Sequence, residues 1–187
     1  IFLIHGENGG RFPNSHSVLI TGERTELIDT GCGYGILEEV KEENAPDTVI
    51  YSHTHGDHWG GVRGIVDEDD VRSGKIQIIA PIDFMDFTVS ENVYAGNAMN
   101  RRLFYQYGVL LPASPYGYVG QGLGQAVSAG AVGLNAPTLY VEKAIEEFEV
   151  DGVTMVFQNT PNTEAPREMN TYIPEMKALW MAENVTS

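Results

Sequence analysis

The chain has 187 residues, 42% of them hydrophobic and 20% charged, which suits one domain, or one domain with an appendage, and argues against disorder. Its formal net charge of −15 argues against nucleic acid or an anionic membrane surface as a partner. Cys32 is the one cysteine, so no intrachain disulfide can form, and no apolar run approaches the length of a membrane span.

Residues 1–30 read as strands. Val18-Leu19-Ile20-Thr21 and Thr25-Glu26-Leu27-Ile28-Asp29 flank Gly22-Glu23-Arg24, a hairpin signal, and the second run ends in the turn Thr30-Gly31-Cys32-Gly33. Ile36, Leu37 and Val40 share one face of a helix over residues 36–43, which Pro46 ends. Thr48-Val49-Ile50-Tyr51 is a β-branched run of the kind that forms buried strands. Strands, helix and strand in that order give an α/β pattern. A strand over residues 76–80 and one or two helices over residues 81–102 follow.

Residues 108–137 are dense in Gly and Pro and read as an ordered insertion or lid. The Gly120-Gln121-Gly122-Leu123-Gly124 run there lacks a preceding strand and a following Lys, so it does not read as a nucleotide loop. Val153-Thr154-Met155-Val156-Phe157 is a strand after the turn Asp151-Gly152, and residues 142–149 either pair with it or are helical. Residues 161–166 are a loop, and a last short strand over residues 179–181 delivers Glu183. The chain starts at Ile1 inside an apolar run and stops at Ser187 just after another, so it reads as a fragment. No signal peptide is visible, and the compartment stays open.

The strongest signal is His53-Thr54-His55-Gly56-Asp57-His58, which holds three of the five histidines in six residues. Imidazole and carboxylate suit zinc and its neighbours. In extended backbone His53 and His55, two apart, point the same way and can share one metal. Gly56 lets the chain turn, so Asp57 and His58 can face a second metal. His5 and His16 are isolated and read as hydrogen-bonded or surface residues.

His-x-His-x-Asp-His after a short hydrophobic strand resembles the metallo-β-lactamase superfamily. Leu27-Ile28-Asp29-Thr30-Gly31 resembles a further landmark of that family, and the resemblance implies that Asp29 orients a metal ligand from behind it. The fold it implies is an αββα sandwich of the α/β class. Residues 61–67, 90–99, 163–169 and 182–184 are similar to the alkyl sulfatase branch, which includes linear and secondary alkylsulfatases and dodecyl-sulfate hydrolases. Residues 1–52 look more like a general superfamily member.

That likeness implies two Zn²⁺ ions per complete site. Glu164 would complete the metal of His53 and His55, and Glu183 would join Asp57 and His58, bridging the two. It further implies that residues 1–187 are a partial catalytic domain, incomplete at the C-terminal side. In the family one more ligand histidine, a helical dimerisation domain and a lipid-carrier-like domain lie downstream, so a homodimer would belong to the full-length protein. The activity implied is hydrolysis of an alkyl sulfate ester to alcohol and inorganic sulfate by metal-activated water, with Asp57 as the catalytic residue. Two Zn²⁺ against three carboxylates leave the site at about +1, so sulfate capture needs further positive charge. Arg101-Arg102 is the best candidate pair, since a guanidinium matches an oxyanion through paired hydrogen bonds. The aromatic and apolar residues 103–111 are candidates for the alkyl tail. Another hydrolase of the superfamily (a lactonase, thioesterase or β-lactamase) and a non-catalytic metal-binding fragment are the alternatives.

Overall fold

The computed structural model describes residues 2–5, 16–21, 24–31, 45–108, 110–112, 114–117 and 131–185. Cys32, the helix expected at residues 36–43 and the glycine-rich run at residues 120–124 lie outside the described residues.

Six strands form the larger sheet: β1 (Phe2–His5), β2 (His16–Thr21), β3 (Thr25–Ile28), β4 (Thr48–Ile50), β5 (Gln77–Pro81) and β6 (Leu139–Val141), in that spatial order. β1, β2 and β3 are antiparallel, and β3 to β6 run parallel. Parallel neighbours need crossovers, and the helices supply two of them. Helices α1 (Gly56–Trp59), α2 (Val62–Ile65) and α3 (Glu68–Arg72) link β4 to β5. The β5–β6 crossover carries α4 (Phe84–Val89), a π-helical turn (Ser90–Tyr94) and α5 (Gly96–Tyr107).

A second, antiparallel sheet has the order β10-β9-β8-β7, from β7 (Ile145–Val150), β8 (Val153–Asn159), β9 (Met169–Ile173) and β10 (Ala178–Trp180). Residues 145–150 are therefore the strand partner of β8 rather than a helix. Asp151 and Gly152 at φ 50° and 84° make the left-handed pair that a two-residue hairpin turn requires.

The period of two along each strand divides the apolar residues between two cores. Leu19, Leu27, Val49, Tyr51 and Ile78 meet Trp59, Val62, Ile65 and Phe84 of the helices on one face of the larger sheet. Val18, Ile20, Ile28, Ile50 and Ile79 face the second sheet and pack on Val150, Met155, Phe157, Met169 and Ile173. The result is a layered α/β sandwich of helices, sheet and sheet. Among the described residues all five α-helices precede β6. Ile145, Tyr172 and Leu179, on the far face of the second sheet, stay exposed.

Several elements went unread in the sequence. α1, α2 and α3 are four or five residues long, too short for an apolar period to show. β6 has three residues, and β9 mixes Asn and Thr among apolar residues, so neither carries a strand's usual composition.

Candidate metal centre

The strands β3 and β4 end side by side, and the candidate residues gather beyond their carboxyl ends, where an open parallel sheet leaves a crevice. Past β3 the backbone turns sharply: Asp29 sits at φ 59° and Gly31 at φ 71°. A left-handed Asp is uncommon, and the position is held by Asp29 N–H donating to Ile50 O and Thr30 N–H donating to His58 O. That turn aims a fully buried Asp29 carboxylate at the segment after β4.

Asp29 organises the histidines from behind. Its Oδ1 accepts the Ser52 N–H at 2.8 Å and its Oδ2 accepts the Ser52 hydroxyl at 2.6 Å. The Ser52 proton is thereby committed, so Ser52 Oγ accepts from His53 Nδ1 at 2.9 Å. His58 Nδ1 donates to Asp29 Oδ2, also at 2.9 Å. Both rings therefore carry their proton on Nδ1 and turn a bare Nε2 the other way. Those two Nε2 atoms are buried and have no hydrogen-bond partner among the described residues.

What they face is a set of ligand atoms. His53, His55, Glu164 and Glu183 bring one donor atom each within 4.8 Å of one another, and Asp57, His58 and Glu183 do the same. In the first group Glu164 Oε2 is 3.0 Å from His55 Nδ1 and 3.8 Å from His53 Nε2, and Glu183 Oε2 is 3.6 Å from His53 Nε2. In the second, His58 Nε2 is 3.6 Å from Glu183 Oε1 and 3.8 Å from Asp57 Oδ2. Spacings of 3.6–3.8 Å are too long for hydrogen bonds. They lie near the tetrahedral edge of about 3.3 Å set by ligands roughly 2.0–2.1 Å from a zinc ion. Glu183 gives one oxygen to each group, the arrangement of a bridging carboxylate. The donor set and the two orphaned nitrogens fit metal ions.

The electrostatics agree. Burial disfavours a charged His55, yet Glu164, Glu183 and Glu91 outweigh it and raise the imidazole to about 10. His58 is likewise buried but pushed well above the ordinary value by Asp29, Glu183 and Asp57. The three imidazoles of His53, His55 and His58 hold Glu183 far below the usual carboxylate range. The carboxylates thus favour positive charge at this cluster.

Local structure explains how each ligand arrives. His55 is extended, with φ −73° and ψ 137°, so His53 and His55 converge, and Gly56 then starts α1, which carries Asp57 and His58. Gly56 has Asn92 Oδ1 3.4 Å from where a Cβ would be. Glu164 sits in the loop between β8 and β9. Glu183 follows β10 by three residues, after Ala182 at φ 48°.

Arg101 and Arg102 are not part of this cluster. They lie on α5, exposed, and form no ion pair among the described residues. His5 and His16 are register partners across β1 and β2. Three residues that matter were missed in the sequence. Ser52 relays Asp29 to His53. Glu91, brought in by the π-helical turn, places Oε1 3.5 Å from His55 Nε2, the nitrogen facing away from the other ligands. Glu168 lies fully buried beneath the two carboxylate loops. Ser52 is next to His53 in sequence, and Glu91 and Glu168 lie in the segments 90–99 and 163–169 that carry the alkyl sulfatase likeness, but nothing in the sequence gives any of the three a role.

The Metallo-beta-lactamase superfamily model matches residues 10–169. The chain is 55% identical over 139 residues to the Alkyl/aryl-sulfatase BDS1 of Saccharomyces cerevisiae, covering 74% of this chain and 22% of that one. It is 51% identical over 138 residues to a Linear primary-alkylsulfatase of Pseudomonas sp, covering 74% and 20%. The chain thus spans about a fifth of the length of these curated relatives. Among solved structures, the stereoselective inverting sec-alkylsulfatase Pisa1 from Pseudomonas sp. superposes with a TM-score of 0.81 at 40% identity, over 88% of this chain and 27% of that one. A metallo-beta-lactamase family protein of Thermus thermophilus shares the fold, with a TM-score of 0.57 at 18% identity over 95% and 57%.

Proposed function

The chain belongs to the metallo-beta-lactamase superfamily, and on that premise we propose that it is the metal-binding part of a hydrolase that cleaves alkyl sulfate esters. The observation that carries this reading is the pair of ligand groups joined by Glu183 in a chain about half identical to alkylsulfatases. His53, His55, Glu164 and Glu183 would hold one Zn²⁺, and Asp57, His58 and Glu183 a second. Metal ions held there supply Lewis acidity and bring a water's pKa toward neutrality.

The chain's own residues supply position and charge. Asp29 and Ser52 fix the tautomers of His58 and His53, and Glu91 faces the outer nitrogen of His55. Asp57, with 29% of its side chain exposed, accepts a hydrogen bond from a water entering from solvent and so orients it toward the ester. Arg101 and Arg102 would supply the positive charge that captures the sulfate group, once α5 and the residues after it are placed over the substrate. The alkyl tail would lie along the exposed Phe104, Tyr105, Leu110 and Leu111. Residues 108–137 would form the Gly/Pro-rich insertion of a catalytic domain whose remainder lies in the longer protein.

Among the described residues no helix is long and apolar enough to cross a membrane. A homodimer would be a property of the full-length protein. The test is sulfate release from dodecyl sulfate by that protein, with and without chelator. Sulfate release that chelator stops and Zn²⁺ restores supports the reading. Opening of a lactone ring with no release of sulfate overturns it in favour of another hydrolase of the superfamily.

A further inference from the structure

Glu168 is fully buried, has no cationic partner among the described residues and is not a ligand. Its backbone is fixed against the histidine segment: it bridges His53 across an isolated antiparallel pair, and the next residue, Met169, donates its N–H to Ser52 O at 2.9 Å. Its carbonyl accepts the Thr160 N–H at 2.8 Å. Its side chain then reaches in two directions. Oε2 accepts the Thr163 hydroxyl at 3.0 Å and the Ala165 N–H at 3.3 Å, the two residues on either side of Glu164. Oε1 accepts the backbone N–H of Glu183 itself at 3.1 Å.

From this geometry we infer that Glu168 is the positioning residue of the centre, the one group that sets both carboxylate ligands against the histidines. Three donors from two loops converge on one buried carboxylate. Asn184 also ties the loops, donating to Thr160 Oγ1 at 2.9 Å and Asn170 Oδ1 at 3.0 Å, and Thr163 also donates to Thr160 O at 2.7 Å. Glu168 differs in bonding the groups immediately around both Glu164 and Glu183. This inference rests on the reading of the cluster as a metal centre.

Glu168→Gln keeps the size and shape but offers one acceptor and one N–H₂ donor. Either the Glu183 N–H or the Thr163–Ala165 pair must then face a donor, a buried mismatch. The experiment titrates the 187-residue chain with Co²⁺, whose visible absorption reports the ligand geometry. Glu168→Gln should bind about ten- to a hundredfold more weakly than wild type, the usual effect of losing an outer partner, with altered bands. Thr163→Val removes, at an exposed position, a hydroxyl donor that Glu168 Oε2 shares with Thr160 O. It should weaken only one of the two binding steps, by about threefold, an effect of the size of one lost hydrogen bond.

A Glu168→Gln chain that melts at a lower temperature yet binds Co²⁺ with unchanged affinity and spectrum overturns the inference, because that is a purely structural role. If Glu168→Gln does not fold, Thr163→Val decides: unchanged affinity overturns the inference and a one-step loss supports it. A wild-type chain that takes up no Co²⁺ overturns the metal reading and this inference with it. Wild-type uptake matched by Glu168→Gln overturns this inference alone.

Discussion

Acidic clusters occupy both ends of the β3–β4 pair, and they have been put to opposite uses. At the carboxyl ends, Asp29 backs His53 and His58, and the Nε2 atoms of both face the candidate carboxylates across gaps of 3.6 Å or more. At the amino ends, Glu26, Asp47 and Asp151 are met by a cation from the protein. Arg24 donates to Asp151 at 2.6 Å and lies 3.8 Å from Asp47, and Thr48 donates to Asp151 at 3.0 Å. No three ligand atoms converge at that end among the described residues. Negative charge alone does not mark a metal site. What distinguishes the candidate centre is buried imidazole nitrogens left without partners among the described residues, beside carboxylates anchored from behind.

Substitutions sharpen the contrast, and the largest effect belongs to the ligand end. On the proposed reading, Asp57→Ala in the full-length protein removes a metal ligand and the group that orients water. It should lower kcat/KM for dodecyl sulfate by about a thousandfold, about 4 kcal/mol of transition-state stabilisation. Retained activity would remove Asp57 from the site. Asp29→Asn leaves every ligand in place but gives up the carboxylate that His58 and Ser52 share. Zinc competition with a chromophoric chelator should show affinity falling about ten- to a hundredfold.

The amino end should respond in stability and not in metal content. Burial raises Glu26 from 4.5 to about 7, with Asp151 adding to the shift, so its protonated form is favoured in the folded protein. The folded value lies above the unfolded one. That contribution is therefore complete below about pH 4.5 and is lost as pH rises through about 7. Between those limits Glu26 should cost the wild type about 3 kcal/mol, and Glu26→Gln should flatten that slope in urea denaturation across pH. A slope equal to the wild type's would show that Glu26 is not the group responsible. The smallest effect is expected of Asp151→Asn, which weakens bonds to Arg24 and Thr48. Urea denaturation should show a loss of about 1 kcal/mol while bound zinc is unchanged. A fall in zinc would mean that the two ends are coupled.

The two ends differ in legibility too. His53 to His58 announce themselves because ligands two and three apart are already adjacent in sequence. The Asp151-Gly152 hairpin is equally local. Glu164 and Glu183 come from two separate loops, and nothing in their spacing distinguishes them from other acidic residues; resemblance alone points to them. Ser52, Glu91 and Glu168 acquire their meaning only when β4, the π-helical turn and the loop before β9 meet. The four-residue helix at Gly56–Trp59 was equally invisible, because one turn has no period to read. Arg101 and Arg102 show the converse: chemistry names them, but the described structure gives them no contact that assigns a role.

The central claim is that one chain assembles two metal positions around a shared Glu183. Equilibrating the purified chain with excess Zn²⁺, removing unbound ion and measuring zinc per chain tests it most directly. The ligand groups His53/His55/Glu164/Glu183 and Asp57/His58/Glu183 predict close to two ions, falling to about one or fewer in Glu183→Ala. One ion or none in the wild type would contradict the claim.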